Sequence, residues 1–318
     1  MRWSLIGALS AMLLAQPVTA ATYQPNGPIE RRYAADGPWA TTTIVSNGAC
    51  DREGNVCDIW YPSNLGANPL KRMADGFRHP VIVFANGTAD TVPADKNAYF
   101  LRHLASWGFI VIRSRDGSTG QGDTVADAAK YLLGLSRDPQ SVFYGKVDAD
   151  NIGLAGHSQG AATATLLFSR NDTLFKTYVP IETPLRVVCV VANCTIDLGA
   201  LPQVTRGSIF YVGGDADVIS SLPTNLGYYT PTSDAVDKVM GMIALGGHTE
   251  IEGSPDCAPG GIPGSCNIGV YPLLGYPTAW FMWKLQGAAD GPAAFGADGE
   301  LAHASPEWLG VLSNVRPR

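Results

Sequence analysis

The chain has 318 residues, 46% of them hydrophobic and 16% charged, enough to bury a sizeable core in one domain or two. A net charge of -6, a pI near 5.3 and the lack of any extended Lys/Arg run give no electrostatic reason to expect nucleic acid or an anionic membrane as partner. Residues 1–20 read as a leader rather than as fold: Arg2, the apolar run "LIGALSAMLLA", then small residues suited to cleavage after Ala20. That run is too short to span a bilayer, and no later stretch is apolar for long enough, so stable membrane insertion is not expected. The mature chain, 21–318, is expected to be secreted, into the extracellular space or the periplasm.

Strand-like and helix-like segments then alternate. "TTTIVS" (41–46) and "CDIWYP" (57–62) read as an N-terminal hairpin or meander, and "PVIVFANG" (80–87) as a buried strand ending in a turn. A helix over 97–108 stops at a glycine, and a second buried strand follows at 109–115. "GSTGQGD" (117–123) lacks the lysine and spacing of a phosphate-binding loop and reads as a flexible loop over the site. A helix over 123–138, a strand "NIGLAG" and a helix "SQGAATATLLFSR" come next. Strands are expected at 185–192, 208–214 and 239–247, and a closing helix at 279–288. Strands separated by helices imply one α/β domain, a mostly parallel central sheet flanked by helices, with its core at about 40–300.

The six cysteines form three close pairs along the chain: Cys50 with Cys57, Cys189 with Cys194, and Cys257 with Cys266. Local disulfides are the simplest pairing, although spacing alone does not fix connectivity, and they agree with export. Zinc is not expected, because no histidine stands at finger spacing from any pair.

"GHSQG" (156–160) places Ser158 between a buried strand and an Ala-rich helix, the setting of a nucleophile elbow. A serine N-cap is the competing reading. A serine nucleophile needs a base and an orienting acid from later strand ends. His248 is the only histidine so placed. Asp217 is preferred to Asp215 as the acid, because a residue a few positions past its strand can reach the next strand's histidine. Glu182 and Asp197 would sit one strand early. The oxyanion donors are expected from the backbone N–H groups of Thr88 and Gln159, with Gly87 allowing close approach. Asn86-Gly-Thr88 matches a glycosylation sequon, read as accidental because a sugar there would block the site.

Beyond the elbow, "HLASWGFIVI", "YGKVDADNIGLAGHSQG", "GGDADVIS", "GGHTE" and "AWFMWKLQGAADGPAAF" give the chain, in order and spacing, a resemblance to secreted cutinase-like polyester hydrolases, including poly(ethylene terephthalate) hydrolases, and to related chlorophyllase-like and dienelactone-hydrolase-like esterases. The resemblance covers most of the mature chain. It implies an α/β-hydrolase fold, a Ser158–His248–Asp217 triad, an oxyanion hole at Thr88 and Gln159, and a cleft that includes Gly87, His157 and Ile196. Ile196 aligns where such enzymes often carry a tryptophan, and Gln159 where methionine commonly follows the nucleophile. The function expected is a monomeric serine carboxylic-ester hydrolase acting on an ester or polyester without cofactor or metal. A lipase, acyltransferase or amidase with the same triad, or a non-catalytic binding protein on this fold, are the alternatives.

Overall fold

The computed structural model describes residues 23–88, 96–258 and 264–316, so the leader expected at 1–20 lies outside the described residues. In chain order the elements are α1 (Pro28–Ala34), β1 (Thr41–Val45), β2 (Cys57–Pro62), β3 (His79–Ala85), α2 (Ala98–Ser106), β4 (Ile110–Ser114), α3 (Asp123–Leu135), β5 (Val147–His157) and α4 (Gln159–Ser169). There follow β6 (Thr177–Ile181), α5 (Arg186–Val191), β7 (Ser208–Gly214), α6 (Leu222–Tyr229), β8 (Asp237–Ile243), α7 (Tyr271–Leu274), α8 (Tyr276–Gln286), α9 (Gly291–Phe295) and β9 (Trp308–Ser313).

The strands form one sheet in the order β1-β2-β4-β3-β5-β6-β7-β8-β9. The six from β4 to β8 run parallel, and β1, β2 and β9 pair antiparallel at the edges. This is an α/β architecture of the α/β-hydrolase kind. Chain order reverses across β3: β4 lies on one side of it and β5 on the other. Such a switch point opens a crevice at the carboxyl ends of the strands, where α/β proteins hold ligands.

Central strands covered on both faces need apolar side chains in both directions, which explains their unbroken Val/Ile/Phe runs. Along β7, Phe210 and Val212 enter the layer of α1, α2 and α8, whereas Ile209 and Tyr211 enter the layer of α3, α4 and α6. Each large side chain so buried contributes about 1.5–3 kcal/mol.

Three sequence expectations change. The valine-rich run expected as a strand at 185–192 is the helix α5, and the strand of that repeat is β6, just before it. Cys189 and Cys194 are bonded with Cα atoms 4.5 Å apart, a separation that an extended five-residue span of roughly 17 Å forbids. The core also runs past 40–300. Tyr33 of α1, Trp308 of β9 and Val315 are buried together, because β9 pairs with β8 and α1 packs on α8. Finally, the 117–123 loop is tied down: Thr163 Oγ1 bonds the Thr119 hydroxyl at 3.0 Å and the Gly120 carbonyl at 3.2 Å. The three disulfides pair locally as expected, Cys50–Cys57, Cys189–Cys194 and Cys257–Cys266. Among the described residues no helix is long and apolar enough to cross a membrane.

His79 opens β3 as a buried neutral ring: Nδ1 donates to the Gly108 carbonyl at 2.7 Å and Nε2 accepts from the Gly66 N–H at 3.0 Å. Burial pushes this imidazole down to about 4. The unfolded chain takes up the proton near pH 6.5, so stability is full above that pH and falls as pH drops from about 6.5 to 4, by up to about 3 kcal/mol. Urea unfolding between pH 7 and 4 is expected to lose that slope in His79→Gln. An unchanged slope would contradict the assignment.

Candidate active site

β5 delivers its last residues to the switch point beside β3, with Gly156 opposite Ala85. The chain then turns into α4 through Ser158, whose φ of 52° and ψ of -115° lie outside the comfortable regions for a residue with a side chain. The two flanking glycines make the turn possible by close backbone contact. A Cβ on Gly156 would lie 2.3 Å from the Gly160 carbonyl oxygen, and one on Gly160 would lie 2.0 Å from the Ala85 carbonyl oxygen. The strained serine is therefore held from both sides by main chain. Its side chain makes no cap bond to α4, unlike a serine N-cap.

Asp217 and His248, the expected acid and base, lie beyond the ends of β7 and β8. Beyond β7 and β8, the loops at 214–217 and 243–248 lie main chain to main chain: Asp215 N–H reaches the Ile243 carbonyl and Ala216 N–H the Gly246 carbonyl, each at 3.0 Å. Asp217 Oδ2 accepts from His248 Nδ1 at 2.7 Å, and its Oδ1 accepts from the Ile219 N–H at 2.7 Å. His248 Nε2 lies 2.9 Å from Ser158 Oγ. With Nδ1 donating to the carboxylate, Nε2 is free to accept the serine hydroxyl proton. Asp217 is buried, His248 retains some exposure, and Ser158 is half-buried at the surface of the crevice. Asp215 is exposed and accepts from the Leu245 N–H at 2.5 Å, which makes it a turn-fastening residue.

Glu250, two residues past His248, holds the loop of His248 in place. Its buried carboxylate accepts the N–H groups of Gly247, Asn267, Ile268 and Gly269 at 2.7–3.1 Å. The last three lie just past Cys266, which the disulfide ties to Cys257.

The segment expected to provide oxyanion donors lies against the elbow: the Asn86 carbonyl oxygen is 2.6 Å from where a Gly160 Cβ would stand. Gly87 is buried and Thr88 exposed, three residues past β3, and Gln159 is the first residue of α4. The Asn86 amide is buried and donates to the Ser114 and Asp116 carbonyls, each at 2.7 Å, so a sugar on that nitrogen would remove at least one of these bonds. The Gln159 side chain is also inside. Its Oε1 accepts from the Thr119 N–H at 2.9 Å and its Nε2 donates to the Ala192 carbonyl, which ties the elbow to the 117–123 loop and to the end of α5. Ile196 is buried in the core layer beneath α5 and lines a small recess there with Arg186, Cys189 and Cys194.

His157, the last residue of β5, directs its Nε2 toward Glu182 at 3.1 Å. Sequence reading weighs Glu182 only as a displaced acid and misses this contact. A lone carboxylate inside the apolar stretch "YVPIETPL" is the signal that could have found it. Glu182 is wholly buried, and burial pushes its carboxyl up to about 8, against the opposing pull of His157.

Among the described residues two clusters offer metal-ligand atoms, His157 with Glu182 and His248, and Glu250 with Cys257 and Cys266. In the first, both ring nitrogens of His248 are engaged by Asp217 and Ser158. In the second, the sulfurs are bonded to each other and offer no thiolate. Compared with known proteins, the chain matches no family model and no curated protein.

Proposed function

We propose that the protein is a serine carboxylic-ester hydrolase of the cutinase-like polyesterase type, exported by its leader. The observation that carries the reading is the continuous hydrogen-bond chain Asp217–His248–Ser158 ending on a serine held at φ 52°. His248 Nε2 takes the proton as Ser158 Oγ attacks the ester carbonyl. The negative charge on the carbonyl oxygen is met by the N–H groups of Thr88 and Gln159, and Asp217 stabilises the imidazolium. Collapse passes the proton from His248 to the leaving alkoxide and leaves an acyl-serine. Water, activated by the same histidine, then releases the acid.

The surroundings favour an apolar substrate. Val187, Val190 and Val191 of α5, Val218 beside the acid and Leu245 before the base are all exposed. The Leu185 N–H binds the Ile219 carbonyl at 3.0 Å, and the Leu245 N–H binds Asp215, so these residues share the carboxyl edge of the sheet. Exposed apolar residues gathered at one edge mark a surface that meets apolar partners.

The test is a panel of p-nitrophenyl esters of increasing chain length, a matched amide and a polyester film. Turnover of esters ahead of the amide is expected, with at least a roughly thousandfold loss in Ser158→Ala. Failure to cleave any ester, or cleavage of the amide alone, would overturn the reading.

A further inference from the structure

The triad uses neither His157 nor Glu182, yet both are buried against its base. His157 is the last residue of β5, and its Nε2 donates to the main-chain carbonyl of His248 at 2.8 Å. The two imidazole rings stand 5.2 Å apart. Glu182, directly after β6, places Oε2 3.1 Å from the same His157 nitrogen. Its own backbone is in the left-handed region at φ 57°, uncommon for a residue with a side chain, although its N–H is fastened to the Val212 carbonyl at 2.7 Å. Strain retained in a buried residue next to a reacting group points to a role there. The Glu182 carboxylate has no hydrogen bond to another group among the described residues, so a carboxyl with two acceptor oxygens has been buried to face one imidazole N–H.

We propose that His157 and Glu182 are a positioning pair for the base: His157 Nε2–H tethers the His248 main chain, and Glu182 keeps the proton on that nitrogen. Asp217 orients the ring of His248 from one side, and this pair anchors its carbonyl from another. An unprotonated oxygen of Glu182 turned toward Nε2, from a carboxylate or from the carbonyl side of the acid, disfavours the tautomer that would set a bare Nε2 against this oxygen and the His248 carbonyl. Neither residue touches the reacting atoms. Their effect passes through the placement of His248, where a displacement of about 1 Å costs up to about a hundredfold in rate.

The inference rests on the ester-hydrolase reading for its kinetic consequence, but its geometric content is testable without activity. In ¹⁵N-histidine NMR of the wild-type protein, the His157 resonance is expected to show a protonated Nε2. An unprotonated Nε2 with the proton on Nδ1 would overturn the tether, whether or not the protein cleaves esters. In kinetics, His157→Leu and Glu182→Leu are expected to lower kcat about tenfold or more with KM within about twofold of wild type. His157→Gln, which keeps an N–H donor, and Glu182→Gln, which keeps an acceptor, are expected to recover most of that loss. Folded leucine variants with wild-type kcat, or glutamine variants as impaired as the leucine ones, would overturn the proposal. If a leucine variant fails to fold, the NMR result and the two glutamine variants decide it. Absence of ester turnover in wild type with a protonated Nε2 would instead remove the ester-hydrolase reading and leave the tether standing.

Discussion

Replacing Asp217 by asparagine is expected to lower kcat for ester hydrolysis by about 10⁴-fold while leaving the fold intact. The carboxylate is buried and has two tasks, accepting from His248 Nδ1 at 2.7 Å and from the Ile219 N–H at 2.7 Å. An amide of the same shape can still accept from one of these. Presented to Nδ1, however, its NH₂ group favours the opposite imidazole tautomer, with the proton on Nε2 and nothing to accept the serine hydrogen. The comparison that gives the result its force is Asp215→Asn. Asp215 is exposed and, among the described residues, its side chain fastens the Leu245 N–H alone, so its replacement is expected to change kcat by less than about tenfold. Equal losses in the two variants, with both folded, would mean that Asp217 is not the orienting acid.

Adding one methyl group at Gly160 is expected to be nearly as damaging, by a different route. The new Cβ would stand 2.0 Å from the Ala85 carbonyl oxygen and 2.4 Å from its carbon, and both are main chain of a central strand. No rotamer change relieves such a clash, so β3 and α4 must separate. A cost of about 3 kcal/mol or more follows, the upper range for overpacking. The displaced segments are those that carry Thr88 and Gln159, so kcat is expected to fall as well as the unfolding midpoint. Gly134→Ala is the matched control. Gly134 lies within α3 with nothing within 4 Å of its added Cβ, and alanine there is expected to be neutral or to stabilise by up to about 1 kcal/mol. Denaturant unfolding of the two variants separates the clash from the general cost of losing a glycine.

The parts of the fold that could be read from the chain are those where burial writes a pattern. The middles of β3, β4 and β7 (81–84, 110–112 and 209–212) are β-branched or aromatic because both faces of the sheet are covered, and the glycines at 156 and 160 mark positions where main chain leaves no room for a side chain. The order Ser158, Asp217, His248 follows from the same architecture, since the carboxyl ends of β5, β7 and β8 lie on one edge of the sheet, with β6 between the first two. What misleads is composition without context. "LRVVCVVA" has the make-up of a strand, but three of its four valines are exposed and a local disulfide closes it at α5. β6, "TYVPI", is short and carries a proline, so it lacks the signature of its neighbours. α1 and β9 are tied into the core through contacts between the two ends of the chain, such as Asn26 with Glu307, which no local window contains. Glu182 and His157 are remote from each other in sequence and meet because β5 and β6 pair.

The most direct test of the central claim is covalent. A fluorophosphonate probe forms a stable adduct only with a serine activated by a correctly placed base. One adduct per chain is expected, on the peptide containing Ser158, with labelling absent in Ser158→Ala and strongly slowed in His248→Ala. No labelling of the wild-type protein, or equal labelling of Ser158→Ala, would contradict the assignment of Ser158 as a catalytic nucleophile.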